Sequence, residues 1–399
     1  MSFYQSLNRT LLYAFLFVYL SYILFFDLRI FSSRLGIPTP ELGFLLLIWG
    51  VLLAPFCLYF GLFIKMTRET GPLIVLFSIY VISGVALGVT NGNPIEDVSG
   101  DFLKSLFIPA GVGIYFLFKN DKNFVEKTLY FIGATFVFAR TVLFIAAFGS
   151  FSSLYFGTKM DALLICLGLK RFSEHRVARP KKKRAAFIDL IVIAASLIGQ
   201  KRALLATLVV YLSHNNKRLL LFVTLSVFVV ILSMDSLDWR QVPFIGRFLS
   251  LTDIQFMLAN QSMRLAEVTT AFSAWTSGIG AFLFGHGFGA EILVFTGRES
   301  YAEELHSLHN TPMAILYRSG MFGFCLIVYL LMVALKGVTR GYGSDGAIIL
   351  ALFLTSFFIY SFIDEVFVGY FAAKILDSCR SSKLRAGMRR TSRSSSPRI

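Results

Sequence analysis

The chain has 399 residues, of which 56% are apolar and 15% charged, with a mean hydropathy of +0.70. Soluble domains carry about a quarter charged residues, so this composition argues against a string of soluble domains and makes the bilayer the solvent. The net charge of +15 is gathered beside apolar runs, above all in Lys170 to Arg184 and Arg380 to Arg398, which is a pattern of topology and not of nucleic-acid recognition.

The opening MSFYQSLNRT leads into an apolar run with no small-residue cleavage site after it, so the first helix is expected to be retained. Crossing the hydrocarbon takes about 20 apolar residues, and runs at 11–26, 42–64, 71–90, 102–118 and 129–149 meet that length. A weaker run at 154–169 carries Lys159 and Asp161 and ends at the basic stretch RFSEHRVARPKKKR, expected on the cytoplasmic side. Two short runs follow at 185–199 and 203–213, separated by Gln200, Lys201 and Arg202. The second, at 1.5 Å per residue, reaches only some 16 Å, about half the core, so the turn is expected inside the protein or in a water-filled funnel. A run at 219–234 crosses again, 235–311 is too long for a simple connector, and runs at 312–335, 346–363 and 367–376 complete the series.

Alternation from the basic stretch gives about twelve spans with both termini cytoplasmic. It sets the 200–202 turn and the 235–311 loop together on the outer face. The expected fold is an all-α polytopic membrane protein: residues 1–376 form the transmembrane bundle, including a helical outer loop at 235–311, and 377–399 form a basic, disordered cytoplasmic tail. The four cysteines lie in apolar runs or the tail with no CxxC pair, so neither a disulfide framework nor a thiolate metal site is expected.

Within the outer loop, SMRLAEVTTAFSAW puts Arg264, Leu265, Val268 and Trp275 at spacings compatible with one helical face, as in an amphipathic helix on a membrane surface. FLFGHGFGAE follows, in which Gly285, Gly287 and Gly289 permit positive φ or close backbone approach. With no strand expected before them, a dinucleotide fingerprint is rejected. His306 and His309, three apart and followed by Asn310, could face a metal together, but spacing supplies no third ligand and no metal is expected. A helix-capping role at the interface is the plain structural alternative. What favours chemistry is the company of Lys201, Arg202 and Arg264 on the same face, cations suited to a diphosphate beside a base.

The series GQKRALLAT, SMR followed by AFSAW, FGHGFG and HSLHNTPMAILYRSGMFGF resembles the O-antigen ligase and polysaccharide polymerase superfamily of bacterial envelope enzymes, over about residues 185–323. The resemblance implies a GT-C-like membrane glycosyltransferase that needs no nucleotide sugar, metal or other cofactor. Such an enzyme moves a glycan from undecaprenyl diphosphate to an acceptor sugar at the periplasmic face of the inner membrane. Carried onto this chain, Arg202 and Arg264 hold the donor diphosphate with Lys201 sharing that role, His309 orients or deprotonates the acceptor hydroxyl, and His306 and Asn310 support the acceptor site. Lys201 departs from the family pattern, which usually has no lysine before that arginine. The implied partners are the undecaprenyl diphosphate-linked glycan, an acceptor glycan (lipid A core or growing polysaccharide) and membrane lipids. Ligation is favoured over repeat-unit polymerisation; a lipid-linked oligosaccharide flippase or transporter is the reading from another class.

The chemistry has its own physical basis. A diphosphate leaving group gathers negative charge as the glycosidic bond breaks, and fixed cations in a low-dielectric cavity stabilise that charge. A neutral imidazole can take the proton of a sugar hydroxyl near neutral pH, and direct attack inverts the anomeric centre. Arg140, Asp161, Asp189, Asp364 and Glu365, inside or beside expected spans, are further suspects, although snorkelling accounts for Arg140 and Asp364. The 43 phenylalanines are read as packing against core and lipid.

Overall fold

A computed structural model of the protein describes residues 7, 9–17, 51–52, 54–58, 70–148, 159–177, 183–197, 211, 254–295, 302–305, 311–339, 343–358 and 366–394. They are mostly helical. Helix α1 (Gly71–Thr90) starts with Pro72 in its first turn, where the missing N–H has no intrahelical partner to lose. It stops at Asn91 and Gly92, whose φ of 73° turns the chain. Pro94 then opens α2 (Ile95–Ser105), which runs through Leu106 in helical geometry into α3 (Phe107–Leu117). A single 3₁₀ turn leads to α4 (Lys122–Phe148), followed by α5 (Lys159–Val177) and α6 (Lys183–Leu197).

After these come α7 (Ile254–Trp275), α8 (Ile279–Phe284), strands β1 (Ile292–Phe295) and β2 (Ala302–Leu305), α9 (Thr311–Thr339), α10 (Gly343–Phe358) and α11 (Val366–Ser394). Among the described residues, Gly71–Thr90, Ile95–Leu117 and Pro312–Thr339 are long and apolar enough to cross a membrane. Their large outward-facing apolar side chains, such as Ile82 on α1 and Met332 and Leu335 on α9, would be costly in water and are at ease in lipid.

The centre of the bundle is α3 with α10 and α11, whose described faces are almost wholly buried. Glycine lets α3 and α11 meet backbone to backbone. A Cβ on Gly111 would stand 1.8 Å from the Val366 carbonyl oxygen, and one on Gly369 would stand 2.1 Å from that of Ile108. Such small-residue contacts are how helices pack where lipid removes the hydrophobic drive between them.

Two poles of paired charge stand out among the described residues. At one, Lys374 bonds to Glu126 and lies 3.1 Å from Asp345, while Lys170 lies 2.7 Å from Glu126 and 3.4 Å from Asp345. Tyr115 and Lys119 both donate to Asp377 nearby, at 2.9 and 2.7 Å. At the other pole Asp101 meets Arg318. Eighteen mostly helical residues separate Asp101 from Lys119, a rise of about 27 Å. That approaches the roughly 30 Å of hydrocarbon in a bilayer.

Asp189, a suspect from sequence, is buried and satisfied: Tyr130 Oη donates to it at 2.8 Å and Arg171 Nε at 3.4 Å. A paired structural role accounts for it. Two elements differ from expectation. The outer loop, expected to be helical, contains an antiparallel hairpin with Ile292 opposite Leu305 and Phe295 opposite Ala302, and α11 continues to Ser394 through the stretch expected to be disordered. Residues 383–393 include Lys383 and four Arg with one each of Leu, Ala and Met, and no proline comes between them and Pro397, so the helix can continue although Gly387, Thr391 and Ser392 weaken it.

Candidate functional site

The segment from α7 to the start of α9 builds a small lobe with a core of its own: Ala271, Ala290, Ile292, Val294, Ala314 and Tyr317. Helix α7 packs on both α9 and β1. It turns into α8 at Trp275, which stacks on Phe282 at 4.8 Å and donates its indole N–H to the Phe282 carbonyl at 2.9 Å. Trp275 is therefore buried, whereas Leu265 is 63% exposed. Ten residues at 3.6 per turn leave the two about 80° apart around the helix, so the expected shared face divides into a protein side and an outward side.

The FGHGFG turn joins this lobe to the bundle. Gly285, Gly287 and Gly289 all have positive φ, and the turn's amides are consumed. His286 N–H donates to the Tyr317 carbonyl, Gly287 N–H to that of Arg318 and Phe288 N–H to that of Gly84, at 2.8, 2.9 and 2.7 Å. Gly289 N–H donates to Asp101 Oδ2 at 2.9 Å. The carbonyls are held as well: Asn91 Nδ2 donates to His286 O at 3.0 Å and Asn93 Nδ2 to Phe288 O at 2.8 Å. A phosphate cradle needs free amides, so the three glycines serve close packing and not anion binding. Gly320 makes the receiving side, because its φ of 58° breaks α9 and turns the Tyr317 and Arg318 carbonyls to the loop.

Beneath the turn lies a buried ion pair. Nη1 of Arg318 is 2.8 Å from each carboxylate oxygen of Asp101, with side-chain exposures of 4% and 0%. Lys104 approaches the same carboxylate at 3.6 Å. His286 places its ring on Tyr317, centroids 4.7 Å apart, with Nε2 at 3.1 Å from the Ala274 carbonyl. That contact makes Nε2 the protonated nitrogen and ties the end of α7 to the turn.

The six residues singled out from sequence are distributed as follows. Arg264 belongs to α7, and its side chain lies outside the described residues. Lys201 and Arg202 also lie outside them, beyond the end of α6 at Leu197. His306, His309 and Asn310 lie outside them too, but both neighbours are described: β2 ends at Leu305 and α9 begins at Thr311. No family model matches the chain, and no curated protein matches its sequence. Among the described residues no three His, Cys, Asp or Glu side chains gather as a metal site requires. Sequence reasoning missed Asp101, Arg318, Asn91 and Asn93. The one available signal was an acidic residue and an arginine each set at the border of an apolar run.

Proposed function

We propose that the chain is a membrane glycosyltransferase of the O-antigen ligase type, transferring a glycan from undecaprenyl diphosphate to an acceptor sugar at the periplasmic face of the bacterial inner membrane. In this reading about twelve helices span the bilayer, both termini are cytoplasmic, and the architecture is GT-C-like. Arg264 and Arg202, with Lys201, hold the diphosphate; His309 orients or deprotonates the acceptor hydroxyl, and His306 and Asn310 support the acceptor.

The observation that carries the reading is the bracketing of the His-Asn block. Residues 306–310 join β2 directly to α9, and α7, which bears Arg264, packs on both α9 and β1. A base and a phosphate-binding cation carried next to or on packed elements would suit the positioning demand of glycosyl transfer. Leu265 and Phe272, seven apart on α7 and outward-facing, suit a helix that rests on lipid beside a lipid-borne donor.

The experiment is transfer by the purified protein in detergent micelles, supplied with an undecaprenyl diphosphate-linked glycan and an acceptor. Product with inverted anomeric configuration is expected. Absence of product alongside movement of the donor across reconstituted vesicles would replace the enzyme by a transporter. A deletion strain separates ligase from polymerase on a lipopolysaccharide gel: loss of the whole ladder marks a ligase, and core bearing a single repeat marks a polymerase.

A further inference from the structure

We infer that Asp101 and Arg318 are positioning residues: their buried ion pair latches the α7-to-α9 lobe onto the corner between α1 and α2, and so sets the orientation of the groups that carry the reaction. The link to the reaction rests on the proposed function; the latch itself does not.

Three elements converge on one carboxylate. Asp101 sits on α2, Gly289 N–H comes from the turn, and Arg318 comes from the half of α9 that precedes the break at Gly320. The lobe has its own apolar core, and the residues after Gly320 pack into the separate, larger core of the bundle, through Leu326, Ile327 and Leu330. The first half of α9 therefore gives Ala314 and Tyr317 to the lobe and Ile315 to the bundle core, and is tied to α2 by a charge.

A buried ion pair is a poor source of net stability, because the desolvation of two charges roughly cancels their attraction. Its strength is directional. A guanidinium meets a carboxylate only over a narrow range of rotation and distance, whereas ring packing such as Phe288 on Tyr80 is less directional. Arg318 lies seven residues into α9, about 10 Å from its start. The His-Asn block is attached at that start, next to the helix whose rotation Arg318 fixes. Helix α7, and Arg264 with it, packs on the same half of α9 and follows the same constraint.

The test has two arms. The first reads geometry: spin labels at Thr90→Cys on α1 and Thr269→Cys on α7, both exposed positions, report the distance between bundle and lobe in a background without native cysteines. The variant Asp101→Leu/Arg318→Met removes both charges at similar volume and leaves no buried charge unpaired, but it orphans Gly289 N–H and is expected to melt somewhat below the parent. The latch predicts a narrow distance distribution in the parent and a broadened one in the variant. It also predicts, in the second arm, turnover of the undecaprenyl diphosphate-linked glycan lowered about tenfold or more with donor KM changed less than about threefold.

A folded variant with an unchanged distribution overturns the latch, and a folded variant with a broadened distribution but parental turnover overturns the positioning role. If the double variant does not fold, Asp101→Asn, which keeps an acceptor for Gly289 but loses the charge, takes its place. Broadening then supports the latch and an unchanged distribution refutes it. A parent that transfers no glycan in either background sinks the enzyme reading alone, because the distance arm still decides whether the pair sets the lobe.

Discussion

Replacing Gly88 by alanine probes the insertion of the FGHGFG turn against α1. The added Cβ would stand 2.5 Å from the Phe288 carbonyl oxygen and 3.1 Å from both Phe288 N and Val98 Cγ2, where ordinary contact begins at 3.4 Å. The turn must therefore retreat by about 0.9 Å, the difference between 3.4 and 2.5 Å. It is not free to do so, because Phe288 N–H is bonded to Gly84 O and Phe288 O to Asn93 at 2.7 and 2.8 Å. Overpacking costs about 1–3 kcal/mol, and each of the two strained hydrogen bonds is worth about 0.5–1.5 kcal/mol. Alanine recovers about 1 kcal/mol of helix propensity. The net loss is about 3 kcal/mol, within a range of about 1–5.

Gly100→Ala is the internal control. It lies in the middle of α2 with nothing within 4 Å of an added Cβ, so the same chemical change should stabilise by about 1 kcal/mol. Thermal melting of the two variants in one detergent ranks them even if unfolding is irreversible. The expected order is Gly100→Ala above the parent and Gly88→Ala several degrees below it. Equal melting points, or Gly88→Ala at the level of the parent, would show that the turn does not occupy the α1 groove.

Three further outcomes follow from the same reasoning. His309→Ala should abolish glycan transfer while the protein still inserts and elutes as a single species, read by product formation beside size-exclusion profiles. Arg264→Lys should lose at least about tenfold in kcat/KM, because an ammonium cannot fork onto two phosphate oxygens; parental kinetics in that variant would remove Arg264 from the donor site. Lys374→Met should destabilise by about 3 kcal/mol, since it leaves the partly buried Glu126 and the buried Asp345 to share Lys170. Adding Glu126→Gln to it should restore part of the loss, and a double variant that melts no higher than Lys374→Met would refute the network.

Helices were legible where length and hydropathy acted alone. The run at 71–90 is α1, and the run at 312–335 lies within α9. Each is a continuous apolar stretch bounded by polar or glycine-containing segments, which suffices when lipid is the solvent. The β1–β2 hairpin was not read, because ILVF is four residues long and a short apolar run does not distinguish strand from helix. Only the alternation of buried Ile292 and Val294 with half-exposed Leu293 reveals its period of two.

The glycines of the FGHGFG turn were rightly assigned to close approach or positive φ, but what they approach depends on Gly84 and Gly88, some two hundred residues earlier in the chain. Asp101 and Arg318, 217 positions apart, are marked locally only as charges beside apolar runs, and nothing local pairs them. Pairings of that kind are decided by tertiary packing, to which hydropathy, spacing and turn chemistry are blind.

The central claim is that the lobe carrying Arg264 and the His-Asn block faces the periplasm, where the lipid-linked donor is presented. Cysteines introduced singly at exposed Thr276, between α7 and α8, and at Lys127, near the start of α4, can be challenged in intact spheroplasts with a membrane-impermeant maleimide. The account predicts labelling of Thr276→Cys without permeabilisation and of Lys127→Cys only after it; the reverse pattern would contradict the account.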